Sequence, residues 1–126
     1  MNNPAMRPFE SCDDQHIESV KCLLLDMAHE RTVESLLHLI VTRLNALTDV
    51  ALARVWLLAP GDICGTCHLR AECTDQTECL HLVASAGSPL DPEADWNRID
   101  GGVRRFPIGV RKVGHVASTR DAIEVS

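Results

Sequence analysis

The sequence lacks long apolar runs and a surplus of positive charge, and each shortage excludes a class of protein. No stretch approaches the roughly 20 apolar residues that cross a bilayer, so we expect no membrane association. The opening residues, MNNPAMRPFE, contain no hydrophobic signal core, which predicts a cytoplasmic location. Lys and Arg number 12 against 18 Asp and Glu, giving a net charge of −6. Direct nucleic-acid binding is not expected, because phosphate contacts need surplus cations.

Cysteine is too sparse for a disulfide scaffold, with six residues in 126. Its distribution is nevertheless uneven, because four of the six lie in the segment CGTCHLRAECTDQTEC, residues 64–79. In a reducing compartment, clustered cysteines more often indicate metal binding or redox chemistry than structural disulfides. This segment is therefore the first candidate for a functional site.

The spacing of the four cysteines favours a metal. Cys64 and Cys67 form a C-x2-C pair in which Gly65 permits a tight turn, and Cys73 and Cys79 each follow after five residues. Four thiolates satisfy a tetrahedral zinc ion, and they equally satisfy an iron–sulfur cluster. The sequence leaves the choice between these two cofactors open.

Other interpretations of the same segment also remain open. His68 is an alternative ligand that would replace one sulfur. Reversible disulfide switching among the four cysteines is a second interpretation, since Arg70 or His68 nearby would promote a reactive thiolate. Four incidental loop cysteines are a third. Outside the segment, Cys22 is expected to be a small packing residue, and Cys12 is left unassigned.

Helical periodicity precedes the cysteines. It begins at Asp13, so residues 1–12 are predicted to be a flexible leader and residues 13–126 a single domain. Asp13 or Asp14 is expected to cap the first helix, and Thr32 the second. The predicted apolar faces are Ile17, Val20, Leu24 and Met27 in the first helix, and Val33, Leu37, Ile40, Leu44 and Leu47 in the second. These faces either pack on a sheet or hold a dimer partner.

Strand patterns follow the helices. VALARVWLL, residues 50–58, predicts a buried central strand that ends at the turn Pro60-Gly61-Asp62. LHLVASAG, residues 80–87, alternates and predicts its hairpin partner. The cysteines then occupy a hairpin insertion, residues 61–79. A third strand over 103–108, a short helix over 112–118 and a fourth strand over 122–125 complete an α+β domain, with the N-terminal helices packed on one face of an antiparallel sheet.

The last twenty residues resemble a known family. In FPIGVRKVGHVASTRDAIEV, residues 106–125, Ile108-Gly109 and Val113-Gly114-His115-Val116-Ala117 resemble the GAF-domain segment in which a strand end leads into a helix. Arg120-Asp121 replaces the usual turn glycine. With the cysteine loop and LHLVASAG, the chain is similar over about residues 15–126 to GAF sensor domains of bacterial enhancer-binding activators, which act with the alternative, nitrogen-type sigma factor.

This resemblance implies an architecture and a role. A GAF domain has a six-stranded antiparallel sheet whose last two strands would follow Ser126, so the chain is expected to be a GAF domain truncated at its C-terminus. It would be a homodimer through its N-terminal helices or by strand exchange. It would regulate an output domain in a longer polypeptide by sensing redox state, metal or a small ligand of unknown identity.

Two alternatives to a sensor stay open. The first is a protein-interaction module with a purely structural zinc site, and the second is a thiol-redox enzyme. No nucleophile elbow, phosphate loop or metal-hydrolase motif is present, so no catalytic residue is assigned and a non-enzymatic role is expected.

His115 is expected at the surface. A basic cluster is expected to be solvated or to contact an anion or partner domain; it comprises Arg98, Arg104, Arg105, Arg111 and Lys112.

Overall fold

The computed structural model describes residues 16–74 and 76–126, with side chains described from Val20 onward. Within those ranges the chain is an α+β structure with three α-helices and one three-stranded antiparallel sheet. The elements are α1 (His16–His29), α2 (Val33–Asn45), β1 (Leu52–Pro60), a 3-10 turn (Arg70–Glu72), β2 (Glu78–Gly87), β3 (Arg105–Pro107) and α3 (Arg111–Thr119). The predicted leader and the aspartates expected to cap α1 lie outside the described residues.

The sheet order is β1-β2-β3, and both pairs are antiparallel. The predicted hairpin is confirmed, because β1 pairs with β2 from Leu52 opposite Gly87 to Pro60 opposite Glu78. The prediction that the first strand is buried and central is wrong. Strand β2 is central, and β1 has an edge that no strand pairs within residues 16–74 and 76–126. Leu57 and Leu58 of β1 are accordingly exposed.

The core lies between α2 and the sheet. The predicted alternation of β2 is confirmed from Leu80 to Ala84, since Leu80, Leu82 and Ala84 are buried, but Ser85, predicted on the opposite face, is buried as well, next to Ala86. Val41 of α2 is fully buried against Ala84 and Ala86, with Leu37, Ala53 and Val55 packed around them. Because these alanines are small, the helix can lie close to the strand at this point.

The two N-terminal helices bury less than their apolar patterns predict. Thr32 caps α2 as expected, and its Oγ1 accepts a hydrogen bond from the Ser35 N–H at 3.1 Å. The fully buried residue of α2, however, is Val41, which the predicted seam omitted, while the seam residue Leu37 packs half-buried against the core. Seam residues Val33 and Leu44 are exposed, as are Val20 and Leu24 of α1. One sheet covers only one side of a helix pair, so the rest of each apolar stripe remains uncovered.

The C-terminal segment departs from prediction at its end. Strand β3 is shorter than predicted, α3 matches its prediction within one residue at each end, and His115 is exposed as expected. The predicted fourth strand over 122–125 is wrong, because residues 120–126 are exposed without secondary structure and no strand in the described residues pairs with them. A strand needs a partner to satisfy its backbone groups.

Gly114 allows α3 to lie against β3. A Cβ at this position would overlap the carbonyl oxygen of Pro107 and lie 3.0 Å from the nitrogen of Gly109. The Gly109 N–H in turn donates to the Gly114 carbonyl at 2.8 Å. The Gly-x-Val-Ala pattern therefore has a steric cause here, a backbone contact that excludes any side chain.

Cys22 differs from its prediction. Cys22 is buried, as a packing residue would be, but it is also disulfide-bonded. The expectation of a simple packing cysteine is therefore incomplete.

Among the described residues, no helix combines the length and apolarity that a membrane span requires.

Candidate metal centre

The connection between β1 and β2 is a folded loop. The Thr66 N–H donates to the Ile63 carbonyl at 2.9 Å, and the Arg70 N–H to the Cys67 carbonyl at 3.1 Å, where the 3-10 turn begins. Leu69 is only 3% exposed and anchors the loop on the protein body. The sequence interpretation did not identify this anchor, although Leu69 is an apolar residue among polar neighbours.

All four loop cysteines line one pocket. Cys64, Cys67 and Cys73 reach it from the loop, whereas Cys79 reaches it from strand β2, which begins at Glu78 inside the predicted insertion. None of the four cysteines forms a disulfide, and all four are half-buried. The pocket has a cavity volume of about 20 Å³, and a single water needs roughly 10–15 Å³ on the same scale. The space between the thiols therefore suits one small species.

Gly61 shapes this pocket. A Cβ at Gly61 would lie 2.7 Å from the Sγ of Cys64 and 2.9 Å from the carbonyl oxygen of Gln76. The same carbonyl accepts a hydrogen bond from the Cys64 thiol at 3.5 Å. At Gly65, to which the sequence assigned the tight turn, a Cβ would have only the Arg70 guanidinium nearby, at 3.9 Å. Gly61 is thus the glycine on which the position of a thiol depends.

The surroundings of the Cys79 thiol favour its neutral form. Burial raises its pKa above the usual value, and although Arg105 opposes this, the nearby Asp62, Cys64 and Cys67 raise the pKa further. A thiol must lose its proton to bind a metal ion. Metal binding at this pocket would therefore release the Cys79 proton.

An ion pair stands at the pocket wall. Arg105 of β3 binds Asp62 with two parallel hydrogen bonds, Nε to Oδ1 at 2.8 Å and Nη2 to Oδ2 at 2.7 Å. Arg105 holds the pKa of Asp62 well below its ordinary value of 3.8. Both residues line the thiol pocket. With Arg70 and Glu78, which also line it, the pocket has two positive and two negative side chains beside its four sulfurs, and Arg105 and Asp62 are the two that bind each other.

A second ion pair joins the loop to α3. Arg111, the first residue of α3, binds Glu72 of the 3-10 turn at 3.0 Å. With Arg98 bound to Asp100, three of the five members of the predicted basic cluster are paired with carboxylates. The cluster is therefore largely neutralised by acids of the same chain, and two of its ion pairs hold the cysteine loop against β3 and α3.

His68, the predicted alternative ligand, does not line the thiol pocket. His68 is exposed and lines two neighbouring cavities, while the thiol pocket is lined without it. In the part of the chain that the structure describes, no group of three or more His, Cys, Asp or Glu side chains is already arranged to hold a metal ion. The thiols share a pocket without forming a coordination sphere, and metal binding stays a prediction.

Comparison with known proteins adds no relative. No protein-family model, no curated protein and no solved structure matches the chain. The resemblance to GAF domains therefore rests on the residues quoted from the sequence.

Proposed function

We propose that this chain is a signal-sensing regulatory domain of GAF type that binds a metal ion through Cys64, Cys67, Cys73 and Cys79. The observation that carries the proposal is the shared pocket: residues spread over sixteen positions, from a loop and a strand, line one small cavity. Four sulfurs are the number that a closed structural zinc site or an iron–sulfur cluster requires.

Zinc is the cofactor that the pocket favours. A cavity of about 20 Å³ accepts a single ion among the thiols, whereas a cluster of several iron and sulfide atoms would require the loop to open. Zinc bound by four thiolates carries a net charge of −2, and Arg105 beside the sulfurs would offset part of it. An iron–sulfur cluster remains the competing cofactor, and the same experiment distinguishes the two.

The regulatory part of the proposal follows from how the loop is attached. Ion pairs join it to β3 and to the start of α3, so a change in metal occupancy would alter contacts with both elements. A ligand or metal shifts a conformational equilibrium only if it binds one state better than another. We propose that the cysteine loop, through its contacts with β3 and α3, passes the signal to an output domain of a longer polypeptide. No role in direct nucleic-acid binding is proposed, given the net charge of −6.

The test is metal and acid-labile sulfide analysis, with a visible spectrum, on the full chain purified without air. One equivalent of colourless zinc, lost in Cys64→Ser and retained in His68→Ala, is the expected result. Iron with sulfide and a brown colour would replace zinc by a cluster and make the loop a redox or gas sensor. Absence of both metals from wild-type protein, also after addition of zinc, would overturn the metal proposal.

One observation favours the competing interaction module with a structural zinc site. Apolar residues of both N-terminal helices are exposed, among them Leu24 at 59% and Val33 at 56%. They support the proposal of a homodimer through α1 and α2, which a sensor and an interaction module would share. A zinc content that stays constant when the protein is oxidised, or treated with a chelator of moderate affinity, would favour the interaction module.

A further inference from the structure

We infer that the chain has a second binding site, outside the thiol pocket, for a small organic acid with an apolar body. The site, here called the knuckle groove, lies between residues 66–69 of the cysteine loop and residues 101–113. This inference does not depend on a metal in the thiol pocket, so the zinc analysis and the experiment below can fail independently.

Two adjoining cavities form the knuckle groove. Their volumes are about 260 Å³ and 560 Å³, and they share His68 and Gly102 as lining residues. Sites for small molecules in proteins typically measure about 300–1,000 Å³. Apart from the adjacent residues, no atom of the described part of the chain lies within 4 Å of the Cβ position at Gly101 or Gly102, so the backbone here faces open space. The groove is therefore large enough for a compact organic molecule.

The floor of the groove is apolar. Leu69 is buried beneath it, and Val103, Phe106 and Val113 are half-buried along it. Such a surface binds the hydrocarbon part of a ligand, because contact removes apolar area from water on both sides. A simple inorganic anion would leave this floor uncovered.

Two cations at the groove form no ion pair with a carboxylate of the described residues, although the Asp100 charge, which Arg98 binds, also interacts at longer range with Arg104. Arg104 lines the first cavity and Lys112 the second, and neither forms an ion pair within residues 16–74 and 76–126. The Arg104 Nη1 donates only to the backbone carbonyl of Asp100, at 3.2 Å. The other charged side chains are matched: Arg111 by Glu72, and Asp100 by Arg98. A ligand that supplies negative charge would complete the set.

Apolar floor and unmatched cations together define the ligand class. A carboxylate or phosphate ester would accept charge-assisted hydrogen bonds from Arg104 or Lys112, while its hydrocarbon part would cover Leu69 and Phe106. An uncharged hydrocarbon would leave the cations unmatched, and a free phosphate ion would leave the floor wet. The geometry thus selects small organic acids over either simpler species.

Trp56 supplies a built-in reporter. Its indole Nε1–H donates to the Val103 carbonyl at 3.0 Å, and its ring meets the Phe106 ring edge to face at a centroid distance of 5.8 Å. Both contacts are groove residues, so a ligand that displaces water from the floor changes the surroundings of Trp56. The sequence contains one other tryptophan, Trp96, and Trp96→Phe leaves Trp56 as the only indole.

The experiment titrates the full chain carrying Trp96→Phe with benzoate and follows Trp56 fluorescence. Benzamide presents the same ring without the charge, and inorganic phosphate presents charge without the ring. We expect saturable binding of benzoate, and binding at least about tenfold weaker for benzamide and for phosphate, since a hydrogen bond to a charged group contributes on that scale.

Variants locate the site. Arg104→Gln and Lys112→Gln together should weaken benzoate binding by about tenfold or more. Arg31→Gln, which removes an exposed positive charge between α1 and α2, should leave it unchanged. The inference is overturned if benzoate gives no saturable change, if benzamide binds equally well, or if the double variant and Arg31→Gln bind benzoate alike. Circular dichroism on each variant confirms that a loss of binding is not a loss of fold.

Discussion

At Gly61 the space for a side chain is already taken by the sulfur of Cys64. A Cβ placed there would lie 2.7 Å from this sulfur and 2.9 Å from the Gln76 carbonyl oxygen, and real Cβ atoms do not approach other atoms so closely. The Gly61 N–H also donates to the Thr77 carbonyl at 2.9 Å, which closes the base of the loop. One residue therefore sets both the closure of the loop and the position of a thiol.

Replacing Gly61 by alanine should weaken metal binding. The new methyl group must displace the Cys64 sulfur or the backbone at Gln76, and either movement changes the wall of the thiol pocket. We expect a loss of about 10- to 100-fold in zinc affinity, the range typical for changes beside metal ligands, measured by competition with a chromogenic chelator.

Gly101→Ala is the matched control for this substitution. Apart from its chain neighbours, no atom of the described residues lies within 4 Å of its Cβ position, so the added methyl group should leave zinc affinity unchanged. Equal affinities of Gly61→Ala and wild type would show that the Cys64 sulfur is not needed at its observed position.

At the scale of elements, the cysteine loop is held at two points by carboxylates that bind arginines of later elements. Asp62 binds Arg105 of β3, and Glu72 binds Arg111 of α3. Only the first pair lines the thiol pocket. Both ion pairs, here called the braces, attach the loop to a later element. Only the pair at the pocket should change the electrostatic environment of a bound metal, so a comparison of the two separates this effect from loop attachment.

Asp62→Asn and Arg105→Gln should change zinc affinity in opposite directions. A zinc ion with four thiolates carries a charge of −2, so losing the positive Arg105 should weaken binding, whereas losing the negative Asp62 should strengthen it. We expect about threefold to tenfold in each direction, because partly exposed charges interact modestly. Glu72→Gln, which breaks the brace outside the pocket, should have little effect. Weaker binding in all three variants would show that the braces act through loop structure alone.

At the scale of the whole molecule, the described residues leave a large apolar surface on the N-terminal helices. Val20, Leu24 and Leu25 of α1 and Val33 and Leu44 of α2 are exposed. The ion pair between Asp26 and Arg43 joins the two helices. Large exposed apolar patches are typical of protein interfaces.

A homodimer through these helices predicts a specific response to charge. The full chain should be a dimer by light scattering at micromolar concentration, and Leu24→Lys combined with Leu44→Lys should make it monomeric, because a buried lysine without a partner opposes association. Leu90→Lys is the control, since Leu90 is fully exposed in the loop after β2. A monomeric wild type, or a Leu90→Lys variant that dissociates equally, would contradict this interface.

Local patterns by themselves determined much of this protein. The side chain of Thr32 can cap only a helix that starts beside it, and the alternation from Leu80 to Ala84 identifies the buried face of β2. The spacing of the C-x2-C pair and the two cysteines after it is enough to indicate the candidate site. These features are encoded within a few residues, so a reading of neighbouring positions is sufficient to find them.

Only the tertiary structure decided which apolar surfaces are covered and which charges meet. Strand β1 is as apolar as a central strand but lies at an edge, and α2 buries Val41 while both ends of its predicted seam, Val33 and Leu44, stay exposed, because burial depends on what packs alongside. Arg105 and Asp62 are 43 positions apart in the chain, and their bond arises from the pairing of β3 with β2. The space at Gly61, like that ion pair, is set by the fold around the thiols, which is why no local pattern could predict either.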